Sequence, residues 1–324
     1  MAKLLMVIRR LMSGECILEA RGLFKKYGDL VAVNGINFCV KRGEIFGFLG
    51  PNGAGKTTTV RMFCGLTRIT AGEAYIDGYS IKKDGKKVKR IIGVVPDISN
   101  LYSELTCLEN LLFSGEMYGV PKRKRLEKAE ELLRFFGLWN RRNTKFKNLS
   151  KGLKRRLTLA VALIHDPKIL FLDEPTLGLD VLSKRAIWDR ILKLNEMGTT
   201  IFLTTHNIYE AFEICERIAI INHGEIVAIE RPESLKKMFS AREVLEVSFT
   251  PDNPPIEELR SLHGVVDVEK EKSIFKLVIE KPIDILEDLA KYARDKGLNI
   301  STLRLREADA EEVFLNIIGE MRDD

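Results

Sequence analysis

Short apolar runs broken by turn residues fill the beginning of the chain. Residues 16–20 and 31–40 alternate apolar and polar positions on either side of a turn at 27–29, which predicts two short strands. Residues 72–78 are a further short strand closed by an Asp-Gly pair. The pattern therefore predicts a small antiparallel sheet near the start of the chain.

Other runs are apolar without interruption, at residues 44–49, 91–96 and 169–172. The third has no polar alternation, which is typical of a strand inside a parallel sheet that is covered on both faces. More strands are predicted at 199–204, 218–222 and 225–230. Together these runs predict an α/β domain.

Apolar positions three and four residues apart predict the intervening helices. They lie at residues 59–65, 106–118, 123–136, 181–197 and 207–216, with a loop leading into another helix over 149–165. Thr106 followed by Glu109 is a capping box. The helix that ends before Gly137 has one apolar face, which comprises Leu126, Ala129, Leu133 and Phe136.

The pattern changes from about residue 240. Strands and helices are predicted in the order βαββαβ, at 243–249, 255–262, 264–270, 273–280, 283–296 and 298–306. This order resembles a ferredoxin-like α+β fold. A last helix is predicted at 310–321, with an apolar stripe. We therefore divide the chain into a tail (1–15), a main domain (16–239) and an accessory domain (240–324).

The length of 324 residues suits two domains, and no apolar run approaches the roughly 18 residues that a membrane-spanning helix needs. The first ten residues are weakly basic and amphipathic but lack a cleavage site, so we expect a non-secreted tail, with Met12 as an alternative start. The five cysteines form no C-x-x-C pair, and we expect buried, reduced thiols.

The net charge of +6 is concentrated in basic runs within residues 82–90 and 122–125. Such runs can bind nucleic acid or an anionic membrane surface. No aromatic residues interleave with them as stacking platforms would require, so solvated helix faces or loops are favoured and no nucleic-acid partner is expected.

A glycine-rich loop follows the run at 44–49 and fits G-x-x-x-x-G-K-[ST] at every fixed position. It comprises Gly50, Pro51, Asn52, Gly53, Ala54, Gly55, Lys56, Thr57 and Thr58. Glycines allow backbone N–H groups to converge on a phosphate, and the helix that follows adds its positive end. Lys56 suits the β- and γ-phosphates and Thr57 suits Mg²⁺, which predicts a site for a nucleotide such as ATP.

Two carboxylates end the buried strand at 169–172. Asp173 is placed to hold Mg²⁺ beside Thr57, and Glu174 to deprotonate an attacking water. An isolated Asp-Glu pair is more often a helix cap or a solvated turn, but the upstream phosphate loop favours the catalytic interpretation.

Over about residues 16–237 the chain resembles the nucleotide-binding subunits of ABC transporters. The motifs occur in family order: Tyr27, the phosphate loop, a loop after Pro96, residues 149–153, Asp173-Glu174, Leu179-Asp180 and His206. The resemblance implies a P-loop NTPase of ABC type, with a mixed sheet core, an N-terminal antiparallel β subdomain and a helical subdomain at about 98–165.

The resemblance also implies roles for residues outside the loop. Ser150 and Gly152, at the start of a helix, would bind the γ-phosphate of ATP held by a second subunit, so that two copies form a head-to-tail homodimer. His206 would contact the γ-phosphate. Tyr27 would stack on adenine, and Asp180 would lie at the dimer seam. Helix capping for Ser150 and Asp180, and a turn aromatic for Tyr27, are the structural alternatives.

The sequence departs from the family pattern at three positions. Lys151 and Leu153 replace Gly and Gln in L-S-G-G-Q, and Asp97 stands where the family has a Gln that contacts Mg²⁺. A carboxylate can ligate Mg²⁺ but cannot donate a hydrogen bond as an amide does. These departures, with residues 311–315 near the terminus, resemble the daunorubicin-type drug-resistance exporter branch.

The resemblance thus implies an ATPase that powers a separate membrane permease, most simply an exporter, from the cytoplasmic face of the cell membrane. One alternative is a soluble ABC-type ATPase that acts on a ribosome or DNA. A single cassette without a long coiled-coil insertion argues against it. The other alternative is a non-catalytic regulatory module switched by ATP.

Overall fold

The computed structural model describes residues 16–235, 243–251, 254–279 and 282–307. The chain forms two compact units that divide between Pro232 and Glu233. The predicted boundary at 239–240, the helix at 310–321 and the stretch 311–315 lie outside the described residues.

The first unit alternates strands and helices, as the α/β prediction requires. Its strands are β1 (Cys16–Tyr27), β2 (Leu30–Lys41), β3 (Ile45–Leu49), β4 (Ala71–Ile76), β5 (Tyr79–Ser80), β6 (Ile92–Val95), β7 (Ile169–Asp173), β8 (Thr200–Thr205), β9 (Arg217–Asn222) and β10 (Glu225–Glu230). Its helices are α1 (Lys56–Phe63), α2 (Gly85–Ile91), α3 (Cys107–Met117), α4 (Lys122–Phe135), α5 (Lys151–Ala162), α6 (Val181–Glu196) and α7 (Ile208–Ile214).

The predicted antiparallel sheet has the order β2-β1-β4-β5. Strand β1 continues to Tyr27 rather than ending at residue 20. Register shifts between Ala20 and Leu23, and again before Lys25, carry the pairing past a stretch in which the apolar alternation fails. The bulges keep Leu23 fully buried.

The central sheet has the order β10-β9-β3-β8-β7-β6. Strands β9, β3, β8, β7 and β6 are parallel, and β10 pairs antiparallel with β9. The carboxyl ends of β3, β7 and β8 therefore meet at one edge. This edge receives the phosphate loop, the Asp-Glu pair and His206.

An aromatic cluster fills the core between the two sheets. Phe38 of β2 lies 5.7 Å from Phe46 and 6.0 Å from Phe202, measured between ring centroids. Phe63 of α1 stacks on Phe171 at 6.1 Å. Each such buried ring contributes on the order of 1.5–3 kcal/mol by leaving water. The cluster fixes α1, and with it the loop that precedes α1, against the central sheet.

Helices α3, α4 and α5 form the predicted helical part. The capping box is present: Thr106 Oγ1 accepts from the backbone N–H of Glu109, whose carboxylate accepts from the N–H of Thr106. The predicted face of α4 is wrong at Leu126, which is 54% exposed, whereas Leu132 is buried. The buried face comprises Ala129, Leu132, Leu133 and Phe136, so it is rotated away from Leu126 and toward Leu132.

The second unit contains β11 (Glu243–Thr250), α8 (Ile256–Arg260), β12 (Val265–Glu271), β13 (Ile274–Ile279), α9 (Pro282–Asp295) and β14 (Asn299–Glu307). The sheet is antiparallel, in the order β12-β13-β11-β14. This is the strand arrangement of a ferredoxin-like fold, as predicted.

The expectation of five reduced cysteines is wrong for Cys16 and Cys39, which form a disulfide. They are 23 residues apart but lie near facing positions of the antiparallel pair β1 and β2, with Cα atoms 5.7 Å apart. The spacing that matters is across the strands, not along the chain. Cys64, Cys107 and Cys215 are free and buried, as expected.

No helix within the described residues is both long and apolar enough to cross a bilayer.

Candidate functional site

The phosphate loop begins after β3 at Gly50 and leads into α1, which begins at Lys56, and its glycines are required by the geometry. Gly53 and Gly55 have φ of +84° and +106°, which disfavours residues with a Cβ atom. A Cβ on Gly50 would lie 2.3 Å from the carbonyl oxygen of Ile221, and one on Gly55 would lie 2.4 Å from that of Ala32. Backbone carbonyls of β9 and β2, one from each sheet, therefore approach the loop too closely for a side chain at Gly50 or Gly55.

The Lys56 ammonium is held inside this loop. Its Nζ donates to the carbonyl oxygens of Gly50 at 2.6 Å and Pro51 at 3.0 Å, and it lies 3.6 Å from Oε1 of Glu174. Burial lowers the pKa of Lys56, and the neighbouring Glu174 charge opposes that shift. A cation that is 6% exposed and framed by backbone suits direct contact with phosphate oxygens.

Asp173 lies at the carboxyl end of β7 and is buried. Its Oδ1 accepts from Thr57 Oγ1 at 3.2 Å and from Thr204 Oγ1 at 2.5 Å. The structure thus brings together Thr57 and Asp173, two residues far apart in the chain. A hydroxyl and a carboxylate are hard oxygen donors of the kind that Mg²⁺ takes alongside substrate phosphates, so this pair fits the ion.

Glu174 is held between the loop and His206. Its Oε1 faces Lys56, and its Oε2 lies 2.9 Å from Nδ1 of His206. The residue has φ of +48°, a left-handed conformation that is costly for a side chain with a Cβ. Its backbone N–H donates to the carbonyl of Thr204 at 3.1 Å, which helps to hold that conformation.

Ser150, Gly152 and Asp180 form a second cluster, where the first turns of α5 and α6 meet. Ser150 caps α5 by accepting from the N–H of Leu153 at 3.4 Å. Asp180 caps α6 through the N–H and hydroxyl of Ser183, at 2.9 and 2.7 Å, and these bonds lower the pKa of Asp180. A Cβ on Gly152 would lie 2.9 Å from Ser183 Oγ, so the first turns of α5 and α6 approach closely at this glycine.

This second cluster is separate from the phosphate loop of the same chain. Within residues 16–235, no hydrogen bond joins Ser150, Gly152 or Asp180 to residues 50–58. Both capping alternatives are observed, and neither excludes a role toward a phosphate.

Tyr27 and Asp97 are also placed by the structure. Tyr27 is 44% exposed, its hydroxyl lies 3.5 Å from Thr67 Oγ1, and the Lys25 ammonium lies 4.4 Å from its ring centroid. Asp97 follows β6, and its side chain is exposed. In the described part of the chain the Asp97 carboxylate makes no hydrogen bond to Thr57 or Asp173. The role of Asp97 as a metal ligand stays a prediction, and so does the role of Tyr27 as the residue that stacks on adenine.

Arg155 of α5 was missed by the sequence reasoning. It is 5% exposed and donates to backbone carbonyls at the ends of β6 and β7. The acceptors are Pro96, Asp97, Asp173, Glu174 and Pro175. A signal was present, because Arg155 lies three and four residues before the buried Thr158 and Leu159 and hence on the inner face of α5.

Glu210 of α7 was also missed. It is 3% exposed, and Thr176 Oγ1 donates to its Oε1 at 2.5 Å while Thr205 Oγ1 donates to its Oε2 at 3.2 Å. Lys184 Nζ lies 3.4 Å from Oε1. The carboxylate therefore joins the residue before His206 to the segment that leads to Asp180.

Comparison with known proteins agrees with this geometry. Residues 33–177 match the family model described as ABC transporter. The chain is 37% identical over 311 residues to the linearmycin resistance ATP-binding protein LnrL of Bacillus subtilis, covering 95% of this chain and 100% of that protein. It is 36% identical over 308 residues to the Nod factor export ATP-binding protein I of Burkholderia lata, with coverage of 94% and 98%.

A solved structure shares the fold over about two thirds of this chain. It is the dimeric, post-hydrolysis state of an ATP-binding cassette bound to ADP and phosphate. The TM-score is 0.61 with 31% sequence identity, and the match covers 66% of this chain and 98% of that one.

Proposed function

Because the chain belongs to the family of ABC transporter ATP-binding proteins, we propose that it hydrolyses Mg·ATP in a head-to-tail homodimer and thereby drives a separate membrane permease of an exporter. The observation that carries the proposal is the position of Glu174. Its carboxylate lies between the phosphate-loop lysine, Lys56, and His206. A general base must lie within hydrogen-bonding reach of the attacking water, and a carboxylate beside the phosphate-binding lysine supports that role for Glu174.

The side chains divide the work of phosphoryl transfer to water. Lys56 and the N–H groups at the start of α1 bind the β- and γ-phosphates. Thr57 and Asp173 would hold Mg²⁺, which offsets negative charge on the phosphates. Glu174 accepts a proton from the attacking water while the water oxygen forms a bond to the γ-phosphorus. The bond from that phosphorus to the bridging oxygen breaks, and ADP and phosphate leave.

The half-site at Ser150 supports the dimer. The first turn of α5 presents N–H groups and a hydroxyl but no acidic side chain, which favours an anion. Since this turn is not bonded to the phosphate loop of its own chain, a second copy is the natural source of the nucleotide it contacts. The expected roles of Ser150, Gly152 and Asp180 follow from that arrangement.

An apolar groove supports the permease as a partner. It has a volume of about 750 Å³ and lies between α3, α5 and the strand β6. Leu66, Tyr102 and Met117 on its wall are 68%, 56% and 68% exposed, so a large apolar surface is open to a partner. Pro96 also lines the groove, directly before Asp97. Such a partner would hold the subunit at the inner face of the cell membrane.

Substitution of Glu174 by Gln tests the catalytic part of the proposal. The amide keeps the size of the side chain but cannot accept the proton of the water, so turnover should fall by at least about 100-fold. ATP should still bind, and the variant should accumulate as an ATP-bound dimer in size-exclusion chromatography. Unchanged turnover would refute the assignment of the base. Glu213→Gln, on α7 outside the site, is the matched control.

A further inference from the structure

We propose that Arg155 is a positioning residue for ATP hydrolysis: its guanidinium fixes the carboxyl ends of β6 and β7 to α5, the helix whose first turn carries Ser150 and Gly152. This inference rests on the proposed function and deepens it. It assigns to one buried side chain the connection between the half-site that faces a second subunit and the carboxylate of the chain's own half-site.

The hydrogen bonds of Arg155 use its full donor set. Nε donates to the carbonyl of Pro175 at 2.6 Å. Nη2 donates to the carbonyls of Asp173 and Glu174 at 2.8 and 2.9 Å. Nη1 donates to the carbonyls of Pro96 and, at 3.5 Å, Asp97. An arginine has five N–H donors in a rigid fork, and here each has an acceptor.

The acceptors belong to two separate strand ends. Pro96 and Asp97 follow β6. Asp173 is the last residue of β7, and Glu174 and Pro175 follow that strand. Strands β6 and β7 pair only as far as Val95 and Leu172. Beyond that register the sheet supplies no bonds between them, and the guanidinium takes over the connection.

The charge of Arg155 is met by carbonyl dipoles rather than by a direct carboxylate partner in its hydrogen-bond set. Burial lowers its pKa to about 10, while the charges of Asp173, Asp97 and Glu174 act in the opposite direction. The side chain therefore stays cationic at neutral pH. Loss of the Arg155 guanidinium and its N–H donors would leave buried carbonyls at the ends of β6 and β7 without hydrogen-bond partners.

The consequence for Glu174 is direct. Its backbone N–H is bonded to Thr204 and its carbonyl to Arg155, so the left-handed peptide is held on both sides. Loss of the Arg155 bond frees the carbonyl side of that strained residue. A displacement of about 1 Å at a general base can reduce the rate by about 100-fold.

The connection also reaches the far half-site. Arg155 lies about one turn along α5 from Gly152. A shift of the first turn of α5, such as binding of a second subunit's nucleotide would favour, therefore pulls on the peptide of Glu174 and on the Pro96–Asp97 segment together.

Arg155→Lys tests the hydrogen-bonding geometry of Arg155 separately from its charge. Lysine keeps the charge and the long stem but has one nitrogen, which cannot span both strand ends. We expect kcat to fall about 100-fold while KM for ATP changes less than about threefold, because Lys56 and Thr57 remain in place. Arg156→Lys is the matched control, since Arg156 is the neighbouring residue on α5 and makes none of these bonds. It should retain full turnover.

A KM that rises as kcat falls, together with a lower melting temperature, would mean that Arg155 only supports the fold, and the inference would be wrong. Wild-type kcat in Arg155→Lys would also overturn it.

Hydrogen exchange measures the same connection without turnover. Peptides covering 96–100 and those covering 173–178 should both exchange faster in Arg155→Lys than in Arg156→Lys. Unchanged exchange in either peptide overturns the inference. If the wild-type chain hydrolyses no ATP, the proposed function fails, but this exchange comparison still decides the role of Arg155.

Discussion

Nδ1 of His206 lies 2.9 Å from Oε2 of Glu174, although the two residues follow different strands of the central sheet. The parallel pairing of β7 and β8 places Asp173 opposite Thr204, so the residues that follow these strands are neighbours. The contact orients the carboxylate that we propose as the base, and it leaves the other oxygen of Glu174 facing Lys56.

His206→Ala removes this contact, so the Glu174 carboxylate should lose its fixed orientation. We expect kcat to fall about 100-fold, the low end of the range for a lost acid–base or orienting group. Steady-state ATP hydrolysis measures it, and ATP binding by fluorescence should be nearly unchanged. His263→Ala, in the second unit, is the control. If both variants hydrolyse ATP alike, His206 has no part in turnover.

Lys56→Ala should act on binding more than on the chemical step. The ammonium contributes charge-assisted bonds to phosphate oxygens, worth about 2 kcal/mol, so ATP affinity should fall roughly thirtyfold. Calorimetric titration of ATP checks this. Because Lys56 is buried, a melting curve should accompany the titration. A folded variant with wild-type affinity would contradict the assignment of the loop.

Much of the fold follows from local pattern. Uninterrupted apolar runs identified β3, β7 and the run that contains β6, and the capping box identified the start of α3. The alternation of β1 failed after residue 20, because bulges there are set by pairing with β2. The disulfide between Cys16 and Cys39 depends on that same long-range pairing, so the spacing along the chain did not indicate it.

The residues of the candidate site likewise fall into those that local sequence motifs predict and those that depend on long-range contacts. Lys56, Thr57, Asp173 and Glu174 were predictable because their chemistry is written in short local motifs. Arg155 and Glu210 were not predicted because their hydrogen-bond partners are backbone carbonyls and hydroxyls from other elements. The sequence signal of such contacts is weak: it is only a charged residue on the buried face of a helix.

The disulfide predicts a stability effect. Closing a loop of 23 residues in the unfolded chain is worth about 3 kcal/mol, so Cys16→Ser should lower the free energy of unfolding by about that amount under non-reducing conditions. Urea titrations measure the difference, and dithiothreitol should abolish it. Intact mass after thiol alkylation should show three reactive cysteines in the unfolded wild type. Five would show that the bond does not form.

Asp97→Gln tests the predicted metal role. A carboxylate that ligates Mg²⁺ adds charge to the ion site that an amide lacks, so the Mg²⁺ concentration for half-maximal turnover should rise several-fold in the variant. Titration of Mg²⁺ at saturating ATP gives this value. Asp29→Asn, at an exposed turn, is the control. An identical Mg²⁺ dependence would remove Asp97 from the ion site and leave only its carbonyl bond to Arg155.

Met117→Asp tests the groove as the permease contact. Met117 is 68% exposed, so a charge there should affect the fold little, but it would place an unpaired carboxylate against an apolar partner. We expect basal ATP hydrolysis to stay within about twofold of wild type, because the groove lies apart from Lys56 and Glu174. Co-purification with membrane permease subunits should fall at least about tenfold, which is only 1.4 kcal/mol of binding free energy. Met197→Asp is the matched control, since Met197 has the same side chain and the same 68% exposure but lies after α6, outside the groove. Equal permease recovery with both variants would show that the partner binds elsewhere.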